Sequence, residues 1–83
     1  MTIAELFEAI NQDRIGGREA IHAIRSLQAT GDDPRAREHL RSALSWAKIY
    51  FTRRGAAKYG GLDRVKQYLL ADLIRAREFM PPR

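Results

Sequence analysis

The chain has 83 residues, is 45% hydrophobic and 30% charged, has no cysteine, and carries a formal net charge of +5. These values exclude a disulfide framework, a thiolate nucleophile and cysteine-ligated zinc. They also exclude the low-hydrophobicity composition of a disordered chain. No apolar run approaches the roughly 20 residues of a membrane span. The start, Met1-Thr2-Ile3-Ala4-Glu5, lacks the basic and apolar regions of a signal peptide. A cytoplasmic protein is therefore expected.

The first segment, residues 2–14, places Ile3, Leu6, Phe7 and Ile10 at the i, i+3, i+4, i+7 spacing of one helix face. Thr2 and Glu5 have the spacing of a capping box, in which the hydroxyl and the carboxylate each accept from an orphan N–H. Gly16-Gly17 is read as the break. The second segment, residues 18–29, carries Ala20, Ile21, Ile24 and Leu27 on its apolar side and stops at Gly31. Asp33-Pro34 is the clearest start signal: an N-cap acceptor followed by a residue with no N–H to leave unpaired.

The third segment, residues 34–54, bears a broad apolar arc of Ala36, Leu40, Ala43, Leu44, Ala47, Tyr50 and Phe51. Trp46 and Ile49 fall outside it, so the second half is apolar most of the way round. Arg37, Arg41 and Lys48 share an adjoining face. A glycine-flanked connector, residues 55–61, holds Lys58 and Tyr59 and admits a short extra turn of helix. The fourth segment, residues 62–79, has a stripe of Leu62, Val65, Leu69, Leu73, Ala76 and Met80, widened by Leu70 and Ile74, and ends before Pro81-Pro82. No internal repeat or strand-like alternation is present. The fold class expected is all-α: a compact bundle of about four short helices, one domain over residues 1–83, with segments three and four supplying most of the core.

Charge is distributed unevenly. Residues 1–33 hold six acidic residues against three arginines, whereas residues 34–83 hold twelve basic residues against four acidic ones. A basic half suits a polyanion. Arg37, Arg41, Lys48, Arg53, Arg54, Lys58 and Arg64 are the expected phosphate contacts, with Tyr59 stacking on a base or positioning the loop. The connector and the start of segment four also suggest a helix-turn-helix, with Asp63, Arg64, Lys66 and Gln67 at the head of a reading helix. That alignment puts Lys66 or Gln67 where the motif needs a buried apolar residue. The connector lacks the Gly-Lys-Ser/Thr pattern of a nucleotide phosphate loop.

The leading expectation is a small basic helical binding module, a nucleic-acid-binding or nucleic-acid-associated regulatory protein. The alternative is a protein-interaction module or inhibitor that docks on an acidic protein surface or a nucleic-acid-processing complex through Trp46, Ile49 and Tyr50, Phe51 beside them. Trp, Tyr and Arg are the residues enriched at interface hot spots. Self-association as a homodimer through that face is a further expectation. A peripheral membrane helix is disfavoured because the apolar faces are needed for the core. His22 and His39 lack the spacing and the acidic neighbours of a metal site. Asp32-Asp33 reads as a helix start rather than an acid–base pair. No catalytic set, cofactor, metal or small-molecule substrate is expected, and so no enzyme. The general character is that of small bacterial and bacteriophage regulators and inhibitors, an analogy of class alone.

Overall fold

The structure, a computed structural model, describes residues 1–80. The proposed stop at Pro81-Pro82 lies outside the described residues. Four α-helices follow in chain order: α1 (Ile3–Asn11), α2 (Gly17–Thr30), α3 (Pro34–Thr52) and α4 (Leu62–Glu78). A 3-10 turn, Ala56–Tyr59, lies between α3 and α4. No strand is present among the described residues.

The helix starts follow the local chemistry. The Thr2 hydroxyl accepts from Glu5 N–H at 3.1 Å, and Glu5 Oε1 accepts from Thr2 N–H at 3.1 Å, completing the capping box. That bond to the Thr2 backbone, more than the hydroxyl contact, holds the Glu5 carboxyl below its usual range. Asp33 Oδ1 accepts from Arg35 N–H at 2.8 Å and caps α3, with Pro34 at its first position.

The ends depart from expectation in one place. Helix α1 finishes at Asn11, three residues before the expected end, and the left-handed residue that turns the chain is Asp13 (φ 53°) rather than a glycine. Aspartate is among the residues that tolerate this region, and here its carboxylate accepts from side chains of α3 and α4. Gly16 caps α2 with an extended backbone, and Gly17 is its first residue. Gly17 is needed for space instead: a Cβ there would sit 2.8 Å from Phe51 Cβ, so the start of α2 lies tight against the end of α3.

The four helices form a closed ring in which α1 packs on α2, α2 on α3, α3 on α4 and α4 back on α1. The α3–α4 seam is the largest interface. Its contacts run in opposite directions along the two helices, Arg35 meeting Phe79, His39 meeting Asp72 and Trp46 meeting Tyr68, so the pair is antiparallel. Leu6, Ile10, Ile24, Leu40, Val65, Leu69 and Leu73 are the largest fully buried side chains, and every helix contributes to them. Alanines at 36, 43 and 47 leave the core face of α3 small, which permits close approach by its neighbours. The Cα radius of gyration, 11.8 Å, is what a compact chain of this length should have.

Candidate nucleic-acid interface

The connector is the point where the backbone is least regular. Arg53, at the end of α3, is left-handed (φ 63°), as are Gly55 (φ 78°) and Gly60 (φ 95°). Glycine adopts this region at no steric cost, whereas an arginine pays about 1–2 kcal/mol. Within that bend the 3-10 turn buries Ala56 and leaves Tyr59 outward. Gly60 is also needed for space: a Cβ would fall 2.5 Å from Arg64 Cδ, so the Arg64 side chain lies folded over the glycine backbone.

Three aromatic rings meet here. Trp46 of α3 contacts Tyr59 edge-on, with centroids 5.0 Å apart and planes at 87°. It contacts Tyr68 of α4 at 4.9 Å with planes at 39°. Trp46 is half-buried behind them, while Tyr59 remains 43% and Tyr68 39% exposed. Neither phenol hydroxyl has a hydrogen-bond partner among the described residues. The connector and the first turn of α4 carry Arg53, Arg54, Lys58 and Arg64, each exposed. None of them has a carboxylate partner among the described residues. On α4, Arg64, Tyr68, Ala71 and Arg75 lie at i, i+4, i+7 and i+11, one continuous outward stripe.

The remaining expected phosphate contacts do not join this cluster. Arg37 donates from Nη1 to Gly31 O at 3.1 Å and so ties the α2–α3 turn. Arg41 lies 3.5 Å from Glu38 Oε1. Lys48 is exposed and has no carboxylate partner among the described residues, but it shares the outward face of α3 with Arg37 and Arg41, on the other side of the helix from Trp46.

The residues of the alternative interface also separate. Trp46 belongs to the cluster, and Ile49 is half-buried on the same side of α3. Tyr50 faces inward to another job: its hydroxyl donates to Asp13 Oδ1 at 2.7 Å and its ring packs edge-on against Phe51. Lys66 Nζ completes this latch with bonds to Asp13 Oδ2 at 3.1 Å and Asn11 O at 3.0 Å. The Tyr50 bond, then the Lys66 bond, holds the Asp13 carboxyl below its usual range, and Asp13 raises Lys66. Burial, then the bond to Asp13, pushes the Tyr50 hydroxyl up.

The helix-turn-helix reading does not fit this geometry. Its first helix would be one 3-10 turn of four residues, and Lys66 is spent on joining α4 to the end of α1.

Two residues that sequence reasoning missed are instructive. Tyr68 belongs to the site, and its signal was an aromatic lying off the apolar stripe of α4. Asp72 is buried, at 6% exposure. It lies 3.6 Å from His39 Nδ1 and 3.9 Å from Arg75 Nη1, so His39 does have an acidic neighbour, 33 positions away in sequence. No cluster of three or more metal-ligating side chains occurs among the described residues. A groove between α1 and α4 is lined by Ile3, Phe7, Leu73, Ile74 and Arg77 and offers no acid–base pair. No described helix is long and apolar enough to cross a membrane.

Fold and site together define a small basic helical bundle with an aromatic, cation-rich patch at one end of its longest seam. No protein-family model matches the chain, and no curated protein or solved structure matches it.

Proposed function

We propose that this protein is a nucleic-acid-binding or nucleic-acid-associated regulatory module, and that the connector end of the α3–α4 seam is its contact surface. The observation that carries the reading is the coincidence of uncompensated charge with exposed rings. Residues 53–64 contain four cations, Arg53, Arg54, Lys58 and Arg64, against the single acid Asp63, and none of the four is neutralised by a carboxylate among the described residues. Arg53 adds weight. It occupies a left-handed position that favours glycine, so an arginine there carries a conformational cost.

Fluorescence anisotropy of labelled single-stranded and duplex oligonucleotides at 50 and 200 mM salt tests the reading. Phosphate contacts release counterions, so log K falls by about 0.9 per contact on duplex DNA and about 0.7 on single strands per decade of salt. Four contacts give a slope near 3 to 4. Binding that is flat in salt, or absent at 50 mM, rejects the proposal.

A second reading has its own support in Trp46 and Ile49, which are half-buried beside the arginines. Trp and Arg are residues enriched at protein hot spots, and an acidic partner surface or nucleic-acid-processing complex would complement the charge. Under that reading nucleic acid does not bind, and Trp46→Ala abolishes capture of an acidic partner while the helical circular dichroism persists.

A further inference from the structure

We infer that the ligand class of this surface is single-stranded nucleic acid, read through the faces of unpaired bases by Tyr59 and Tyr68. The inference rests on the proposed nucleic-acid function and adds the strand type.

The argument starts from what each ring does in the fold. Tyr59 and Tyr68 keep 43% and 39% of their surface exposed, and neither hydroxyl is bonded among the described residues. Tyr50 is the control within the same chain: its hydroxyl is spent on Asp13 and its ring on Phe51. The two exposed rings are nevertheless held in place. Both lean on Trp46, one edge-on at 5.0 Å and one tilted at 4.9 Å. Trp46 is fixed in turn by packing against the buried core. Rings held in advance lose little freedom on binding, which favours stacking.

The partner that uses such rings must present a flat π surface and negative charge together. A duplex satisfies only the second condition, because its base faces are covered by neighbouring pairs. A single strand satisfies both, with bases for the rings and phosphates for the cations around them. Arg64 stands one helical turn before Tyr68 on α4, and its side chain folds over the backbone of Gly60, the residue after Tyr59. Lys58 precedes Tyr59, and Arg53 and Arg54 lead into the turn, so the backbone of a strand stacked on the rings meets charge on the connector side.

The test compares an unstructured 20-nucleotide single strand, as DNA and as RNA, with a blunt duplex containing the same DNA sequence. Anisotropy is read at 50 and 200 mM salt on the whole protein and on Tyr59→Leu, Tyr68→Leu, Tyr59→Phe and Tyr68→Phe. Leucine retains apolar bulk against Trp46 but cannot stack, and phenylalanine retains the ring. Circular dichroism confirms the fold of each variant. Trp46 is the sole tryptophan, so its emission reports directly on events at both rings. The expected result is single-strand binding at least tenfold tighter than duplex binding. Each leucine variant should lose about tenfold on single strands, as loss of one stacked base implies, while both phenylalanine variants stay within about twofold of the parent. Unlabelled single strand should change Trp46 emission, and duplex should leave it unaltered. Duplex binding as tight as single-strand binding, or leucine variants that bind single strands as the parent does, overturns the inference and leaves the broader function standing. No binding to any probe at 50 mM overturns both.

Discussion

The two ends of the α3–α4 seam are made of the same materials and use them in opposite ways. At one end, Arg35 is held by Asp33 at 2.8 Å and lies 4.3 Å over the Phe79 ring, on which His39 also stacks at 5.9 Å. Asp72 sits between His39 and Arg75, and Glu38 faces Arg41. Arg35, Arg41 and Arg75 each have an acid to answer them, and Phe79 is covered by two side chains. At the connector end, Arg53, Arg54, Lys58 and Arg64 answer to no acid among the described residues, and Tyr59 and Tyr68 rest on Trp46 and stay exposed. Net charge therefore says less about function than charge that has been left unspent. The first end closes the bundle, and the second is free to meet a partner.

The largest expected effect tests whether the two ends stand on one support. Leu69 is fully buried on the α4 side of the seam. Leu69→Ala should cost about 3 kcal/mol, from lost transfer energy and the cavity left behind. Chemical denaturation should then show one cooperative transition at lower denaturant, with Trp46 fluorescence and far-UV circular dichroism moving together. Two separate transitions would mean that the connector end folds independently of the rest.

Removing the unspent charge comes next. With Arg53, Arg54, Lys58 and Arg64 all changed to alanine, affinity for the preferred oligonucleotide should fall at least 100-fold, and the salt slope should drop by roughly 3. Changing Arg35, Arg41 and Arg75 instead should alter affinity less than tenfold while lowering the melting temperature. If the two sets of substitutions exchange effects, with the paired arginines controlling binding, the division between the ends is wrong.

Arg53 alone gives a smaller effect with opposite signs on fold and binding. Arg53→Gly relieves a left-handed arginine, a gain opposed by the extra freedom of glycine in the unfolded chain, so stability should hold or rise by at most about 1 kcal/mol. Binding should weaken severalfold in the same protein. A variant that is both less stable and equally tight would show that Arg53 serves the bend rather than a ligand.

How far these features were legible in the sequence follows the range of the forces involved. The helices were readable because a stripe at i, i+3, i+4 and i+7 is a local pattern, and the Thr2–Glu5 and Asp33–Pro34 starts depend on bonds across two or three residues. The break after α1 was assigned to the glycines because glycine is the usual left-handed residue, while Asp13 reaches that region with bonds to Tyr50 and Lys66, 37 and 53 positions away. The connector's cations and Tyr59 are visible in the sequence as a glycine-flanked basic loop. That Arg37 and Arg41 are tied up, that Tyr50 turns inward, and that Tyr68 joins Trp46 all depend on how helices distant in sequence are paired. Charge on a helix face can be read from spacing, whereas whether that charge is already satisfied requires knowing the neighbour across the seam.

The smallest effect concerns the Asp13 latch, which joins the end of α1 to α3 and α4 and belongs with the spent charges. Asp13 is 63% exposed at its side chain, so its ion pair with Lys66 is well screened and contributes modestly. Asp13→Asn keeps a residue that tolerates the left-handed backbone and still accepts from the Tyr50 hydroxyl, and it removes only the charge. Because the folded protein holds the Asp13 carboxyl below its usual range, the folded state binds that proton more weakly than the unfolded chain does. The stabilisation is therefore complete above the unfolded value of about 3.9 and is lost as pH falls through the lowered folded value. Thermal melts of parent and variant at pH 7, 5, 3.5 and 2 should show a small gap that is unchanged from pH 7 to 5, narrows below about pH 4 and closes once Asp13 is protonated. A gap that persists undiminished at pH 2 would locate the effect in backbone or hydrogen-bond geometry and remove Asp13–Lys66 from the set of working ion pairs.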